Sequence, residues 1–233
     1  MKKKIIITII IIALVLLGGL GYAVFQDLNQ EKKLNVEIEE LDGLLNFEEN
    51  MDTSEIEKRL DRVVTKNDYA IVEIAYKQYV SDFNNNAIEI TNILNDGRIS
   101  NSLTAQNYKK DGPEFTETKE YLSATKEKLE TCKQKYYDLL TDEKIMSYID
   151  GKDLDDYYVD YYKQEVVGNL EEEKNDKTIE TSLNDIIDLL NNSQKVIDFL
   201  AENKGKWKVE DEKITFIKDS LYEDYNNLIT AVY

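Results

Sequence analysis

Helix-breaking residues are scarce along most of this chain. Three of its nine glycines (Gly18, Gly19 and Gly21) fall in an apolar N-terminal run, and Pro113 is the single proline among 233 residues. So few breakers imply long uninterrupted elements, and the spacing of the apolar residues makes them helices. Leu34, Ile38, Leu41 and Leu45 recur at alternating steps of four and three. Asp27, Glu31, Glu48 and Asp52 occupy the positions that would extend this stripe. A short helix packed on the main body is therefore expected rather than a coiled-coil stalk. Ser54-x-x-Glu57 is a capping box opening the next stripe, Ile56, Leu60 and Val63. Tyr69, Val72, Tyr76, Tyr79, Phe83, Ala87, Ile90 and Leu94 then keep helical spacing until Asp96-Gly97, after a break near Lys66-Asn67-Asp68.

Arg98–Phe115 is the longest stretch without helical period and reads as a loop. The helix after it carries Leu122, Thr125, Leu129, Cys132, Tyr136 and Leu139 and is expected to continue to Ile149. Asp153 caps a tyrosine-rich helix with Leu154, Tyr158, Tyr161, Val166 and Leu170 on one side. Glu171–Asp176 reads as a solvated connection. Thr178 opens the most regular stripe, Ile179, Leu183, Ile186, Leu190, Ser193, Ile197 and Leu200, which suits a bundle core and ends at Asn203-Lys204-Gly205. Trp207-x-Val209 and Ile214-x-Phe216 then alternate around an acidic turn, as in a short hairpin, before Asp219 or Ser220 starts a terminal helix.

Met1-Lys2-Lys3-Lys4 precedes an uncharged run from Ile5 to Phe25. As a helix this run is about 31 Å long, the thickness of a bilayer's hydrocarbon core. The lysines fix its N-terminus in the cytoplasm and place the rest outside. A cleaved signal peptide is the alternative, with Gly19-Leu20-Gly21 as its cleavage region. The uncharged run is longer than a usual signal core, and no A-x-A pattern closes it. The expected class is all-α: an N-terminal transmembrane helix, then an extracytoplasmic antiparallel helical bundle with a small β-hairpin near the C-terminus. Its divisions are a cytoplasmic start with signal-anchor over 1–26, a juxtamembrane amphipathic segment over 27–52, and the bundle over 53–233, with the hairpin at about 206–217. The AT-rich residue usage (Lys, Ile, Asn, Tyr) points weakly to a low-GC bacterium.

Composition removes several chemistries. The chain has no histidine and one cysteine, which excludes Ser-His and Cys-His nucleophiles, imidazole metal sites and a disulfide framework. All 47 acidic residues and all but three of the 29 basic ones lie beyond residue 25, so the outer part is more acidic than the net −18 of the whole. Such a domain repels nucleic acid and anionic lipid.

Three motifs fail on inspection. Ser123-Ala124-Thr125-Lys126 fits the S-x-x-K spacing, but no S-D-N or K-T-G accompanies it. Asp150, Asp153, Asp155, Asp156 and Asp160 are a dense carboxylate group without the glycine and glutamate of a calcium loop. Carboxylates at a helix start are explained by the macrodipole. Among 47 acids nothing selects a glycosidase pair. No metal site and no cofactor are expected, and Cys132 on an apolar stripe reads as a buried, inert thiol.

Tyrosine is left as the candidate for binding. Tyr157, Tyr158, Tyr161 and Tyr162 cover a broader helix face than packing needs, and Tyr108 lies in the Arg98–Phe115 stretch. These are the candidate contact residues for a protein partner at the outer membrane face. The expected function is a membrane-anchored, non-catalytic binding or scaffolding protein of a bacterial envelope, tied to the bilayer through residues 5–25. The alternatives are an envelope hydrolase using paired carboxylates and a solute-binding helical domain. Secretion follows instead if the N-terminal segment is cleaved.

Overall fold

A computed structural model describes residues 28–45, 53–167 and 177–232. Its helices are α1 (Leu28–Leu45), α2 (Thr53–Asp61), α3 (Asp68–Asn95), α4 (Gly97–Asn101), α5 (Ala105–Asp111), α6 (Thr116–Leu139), α7 (Asp142–Met146), α8 (Asp156–Val167) and α9 (Thr178–Glu202). An antiparallel hairpin of β1 (Trp207–Glu210) and β2 (Lys213–Phe216) follows, then α10 (Asp219–Thr230). The chain is thus a mostly helical bundle protein with one small hairpin near its C-terminus. The apolar run Ile5–Phe25 and the connection Glu171–Asp176 lie outside the described residues. Among those described, no helix is long and apolar enough to cross a membrane.

The residues group into two compact units, a division that sequence alone does not make within 53–233. The first extends to Glu89 and resumes over Gln134–Ile179, and the second combines Ile90–Lys133 with Glu180–Tyr233. In the first, α1 buries Leu34, Ile38 and Leu41 and packs against α2. The α3 stripe of Tyr69, Val72, Tyr76, Tyr79 and Phe83 is likewise buried. Asn67 precedes α3 in the left-handed region, with φ of 54°, a conformation asparagine tolerates better than most residues.

Two expectations need correction. Arg98–Phe115 is not a loop but holds α4 and α5, of five and seven residues. Each is too short for a stripe to repeat, but each has a cap. The Asp96 carboxylate accepts from the Arg98 amide at 2.9 Å, and Thr104 Oγ1 accepts from the Asn107 amide at 3.3 Å. The helix expected to reach Ile149 stops at Leu139, and Thr141 caps the separate α7 through the Lys144 amide at 3.2 Å.

The second unit is built around α9. Every member of its stripe from Ile179 to Leu200 that falls in this unit is buried, Ser193 included. On the hairpin, Trp207 pairs with Phe216 and Val209 with Ile214, which puts the four apolar residues on one half-buried face. Asp211 and Glu212 make the turn at φ of 47° and 59°, the double left-handed geometry of a two-residue hairpin. Trp207 stacks on Phe115 with centroids 5.8 Å apart and donates from Nε1 to the Leu200 carbonyl at 2.7 Å. A Cβ on Gly112 would lie 2.4 Å from the Tyr108 carbonyl oxygen and 2.9 Å from the Trp207 ring, so only glycine fits beneath this stack.

Candidate functional site

The five candidate tyrosines do not form one site. Tyr108 lies in the second unit, buried, edge-on to Phe115 and Trp207, with its hydroxyl 3.1 Å from that of Tyr225. Tyr162 lies in the first unit, also buried, and donates to the Ile145 carbonyl at 3.1 Å. Burial pushes its hydroxyl pKa well up. Neither ring is accessible to a partner, so both leave the candidate contact surface.

The other three remain at or near the surface of α8. Tyr157 is 42% exposed, whereas Tyr158 and Tyr161 are half-buried. Tyr157 and Tyr161, one helical turn apart, stack with centroids 6.5 Å apart and planes 25° from parallel. Tyr158 meets Tyr69 edge-on at 5.1 Å, Tyr161 meets it at 6.2 Å, and the Tyr161 hydroxyl donates to Asn35 Oδ1 at 3.3 Å. Tyr69 on α3 is itself buried, and its hydroxyl pKa is raised by burial and then by the neighbouring Tyr157 hydroxyl. The exposed ring therefore rests on fixed aromatic partners, so binding to it costs little side-chain entropy.

Sequence reasoning missed the most heavily buried charges. Glu37 of α1 is 2% exposed, Lys77 of α3 is 3% and Glu73 of α3 is fully buried. Lys77 Nζ lies 2.9 Å from Glu37 Oε1 and 2.8 Å from Glu73 Oε1, and donates to the carbonyls of Arg59 at 2.6 Å and Arg62 at 2.9 Å. Glu37 also accepts from Arg62 Nε at 2.9 Å and from Arg59 at 3.3 Å, and Arg59 reaches on to Glu40. Glu73 accepts from the amides of Val64 and Thr65 and, at 2.6 Å, from the Thr65 hydroxyl. Burial alone would raise both carboxyls. Arg62 and Lys77 around Glu37, and Lys77 with the Thr65 and Val64 donors around Glu73, outweigh it and hold both below the ordinary carboxylate range. The cluster ties α1 to α2, α3 and the segment between them. Its groups are engaged with one another, which makes it a structural clamp.

A groove of about 490 Å³ in the first unit gathers Asp82, Glu89 and Asp138 with Lys135 and Lys144. Each carboxylate is already engaged. Asp82 accepts from the Tyr148 hydroxyl and pairs with Lys144 at 3.8 Å; Glu89 pairs with Lys135 at 3.3 Å; Asp138 accepts from Gln134 at 2.8 Å. Burial, then Asp82, raises the Tyr148 hydroxyl pKa. Asn85, Asn86 and Leu139 complete the lining of the groove, and no tyrosine lines it. Cys132 is buried, as expected. Among the described residues no group of acidic and cysteine side chains is arranged to hold a metal ion.

Comparison with known protein families, curated proteins and solved structures finds no significant match to this chain.

Proposed function

We propose that this protein is a membrane-anchored, extracytoplasmic, non-catalytic binding protein of a bacterial cell envelope, and that it contacts a protein partner through the α8 surface. The observation that carries the reading is the exposed Tyr157 ring, stacked on Tyr161 and backed by Tyr158 and Tyr69. Preorganised aromatic side chains of this kind dominate the energetics of protein interfaces. The anchor rests on the lysine triplet and the uncharged run Ile5–Phe25.

A photo-crosslinking residue at position 157 in intact cells tests the contact, with position 222, an exposed tyrosine of the second unit, as reference. A discrete adduct at 157, absent at 222, is expected. Adducts at neither position, or identical ones at both, refute the surface. External protease tests the topology: it should degrade residues 28–233 and leave a membrane-held N-terminal fragment.

A further inference from the structure

We infer that the α8 face carrying Tyr157 and Tyr161 receives a lysine- or arginine-rich segment of the partner protein. This deepens the reading above and rests on it. Tyr157 and Tyr161 are one turn apart, and so are Asp156 and Asp160, so a stripe of stacked rings runs beside a stripe of carboxylates. Asp150, Asp153 and Asp155 continue the negative charge through the turn that leads into α8, and all five aspartates are exposed. Only Lys152 and Lys163 oppose them within residues 150–164.

Glu37, Glu73, Asp82 and Glu89 of the first unit each lie within ion-pair distance of a lysine or arginine. The charge beside Tyr157 lacks such compensation among the described residues. An apolar or acidic partner covering this ring would strip water from the neighbouring carboxylates without repaying them. A basic segment meets both stripes at once. Its ammonium or guanidinium groups reach the carboxylates, and its alkyl stems or guanidinium planes lie on the tyrosine rings.

The test uses the full chain in zwitterionic lipid nanodiscs and a fluorescein-labelled decalysine peptide, with decaglutamate as the opposite-charge probe. Asp156→Asn with Asp160→Asn is compared with Asp185→Asn plus Asp188→Asn on α9, an equal charge change at exposed aspartates of the second unit. The α8 pair should weaken decalysine binding at least about fivefold and the α9 pair less than about twofold, since exposed charges act within roughly a Debye length. Tyr157→Ala should cost about threefold, the size of an exposed cation–π contact. Equal losses in the two paired variants would assign the binding to overall charge and overturn the inference. So would unchanged binding in Tyr157→Ala. A concentration-dependent dimer abolished by Tyr157→Ala would make the occupant a second copy of this chain, with the same consequence. Because the substituted side chains are exposed, far-UV ellipticity should be unaltered. Crosslinking at position 157 does not depend on the partner's charge, so an adduct without decalysine discrimination refutes this inference alone. Discrimination without an adduct refutes the proposed contact and, with it, the partner named here, leaving only a face that attracts basic peptide.

Discussion

Replacing Lys77 by methionine is the sharpest test of the clamp. The substitution keeps the unbranched stem and removes only the ammonium, so little cavity is created. It leaves Glu37 and Glu73, 2% and 0% exposed, without the cation that lies between them, and it orphans the carbonyls of Arg59 and Arg62. Glu37 keeps Arg62 and Arg59, but Glu73 keeps only neutral donors. Breaking a buried ion pair from one side costs about 3–5 kcal/mol. For a chain of this size that lowers the thermal midpoint by about 10 °C, followed by far-UV ellipticity. Adding Glu73→Gln should recover part of the loss, because the amide oxygen still accepts from Val64 and Thr65 while the uncompensated charge is gone. A loss under about 1 kcal/mol for Lys77→Met would show that water reaches these groups, and the account of the clamp would be wrong. Failure of Glu73→Gln to recover anything would show that the orphaned carbonyls, not the charge, carry the cost.

Acid should expose the same clamp. Glu37 and Glu73 bind protons less readily in the folded state, so their contribution is complete at neutral pH and is lost as pH falls below the ordinary value of 4.5. The thermal midpoint should drop there more steeply for the natural chain than for Lys77→Met. Asp96, held down to about 2 chiefly by the Arg98 side chain and then its amide, caps α4. Asp96→Ala should cost about 1 kcal/mol in urea unfolding and Asp96→Asn much less, since asparagine caps as well. Gly112→Ala should destabilise the second unit by about 1–3 kcal/mol, read as faster limited proteolysis, because the Tyr108 carbonyl cannot retreat from a new methyl. Glu212→Gly, relieving a positive φ in the hairpin turn, should raise stability by about 1 kcal/mol in the same urea assay.

Long stripes made much of this fold legible. The ends of α3 and α9 follow from Asp96-Gly97 and Asn203-Lys204-Gly205, because seven turns of repeated burial leave little freedom in phase. Helices of five and seven residues never repeat their own period, so α4 and α5 were visible only as caps, at Asp96 and Thr104. The clamp was hidden for another reason. Glu37 lies 40 residues before Lys77, and Glu73 with Lys77 at i, i+4 has the spacing of an ordinary surface pair. The available signal was phase: both share a helix face with Tyr69, Val72, Tyr76 and Val80, all buried. Among the tyrosines, spacing placed Tyr157 to Tyr162 on one broad face but could not say which edge of it turned inward. That was decided by Tyr69 and Ile145, residues remote in sequence.

Trp207 is the chain's only tryptophan, and its ring sits against Phe115 in the second unit. Tryptophan emission, excited to the red of tyrosine absorption, therefore reports on that unit, whereas ellipticity sums over both. A denaturant titration followed by both signals needs no label: coincident curves mean the two units melt as one cooperative body, and separated curves give each its own stability.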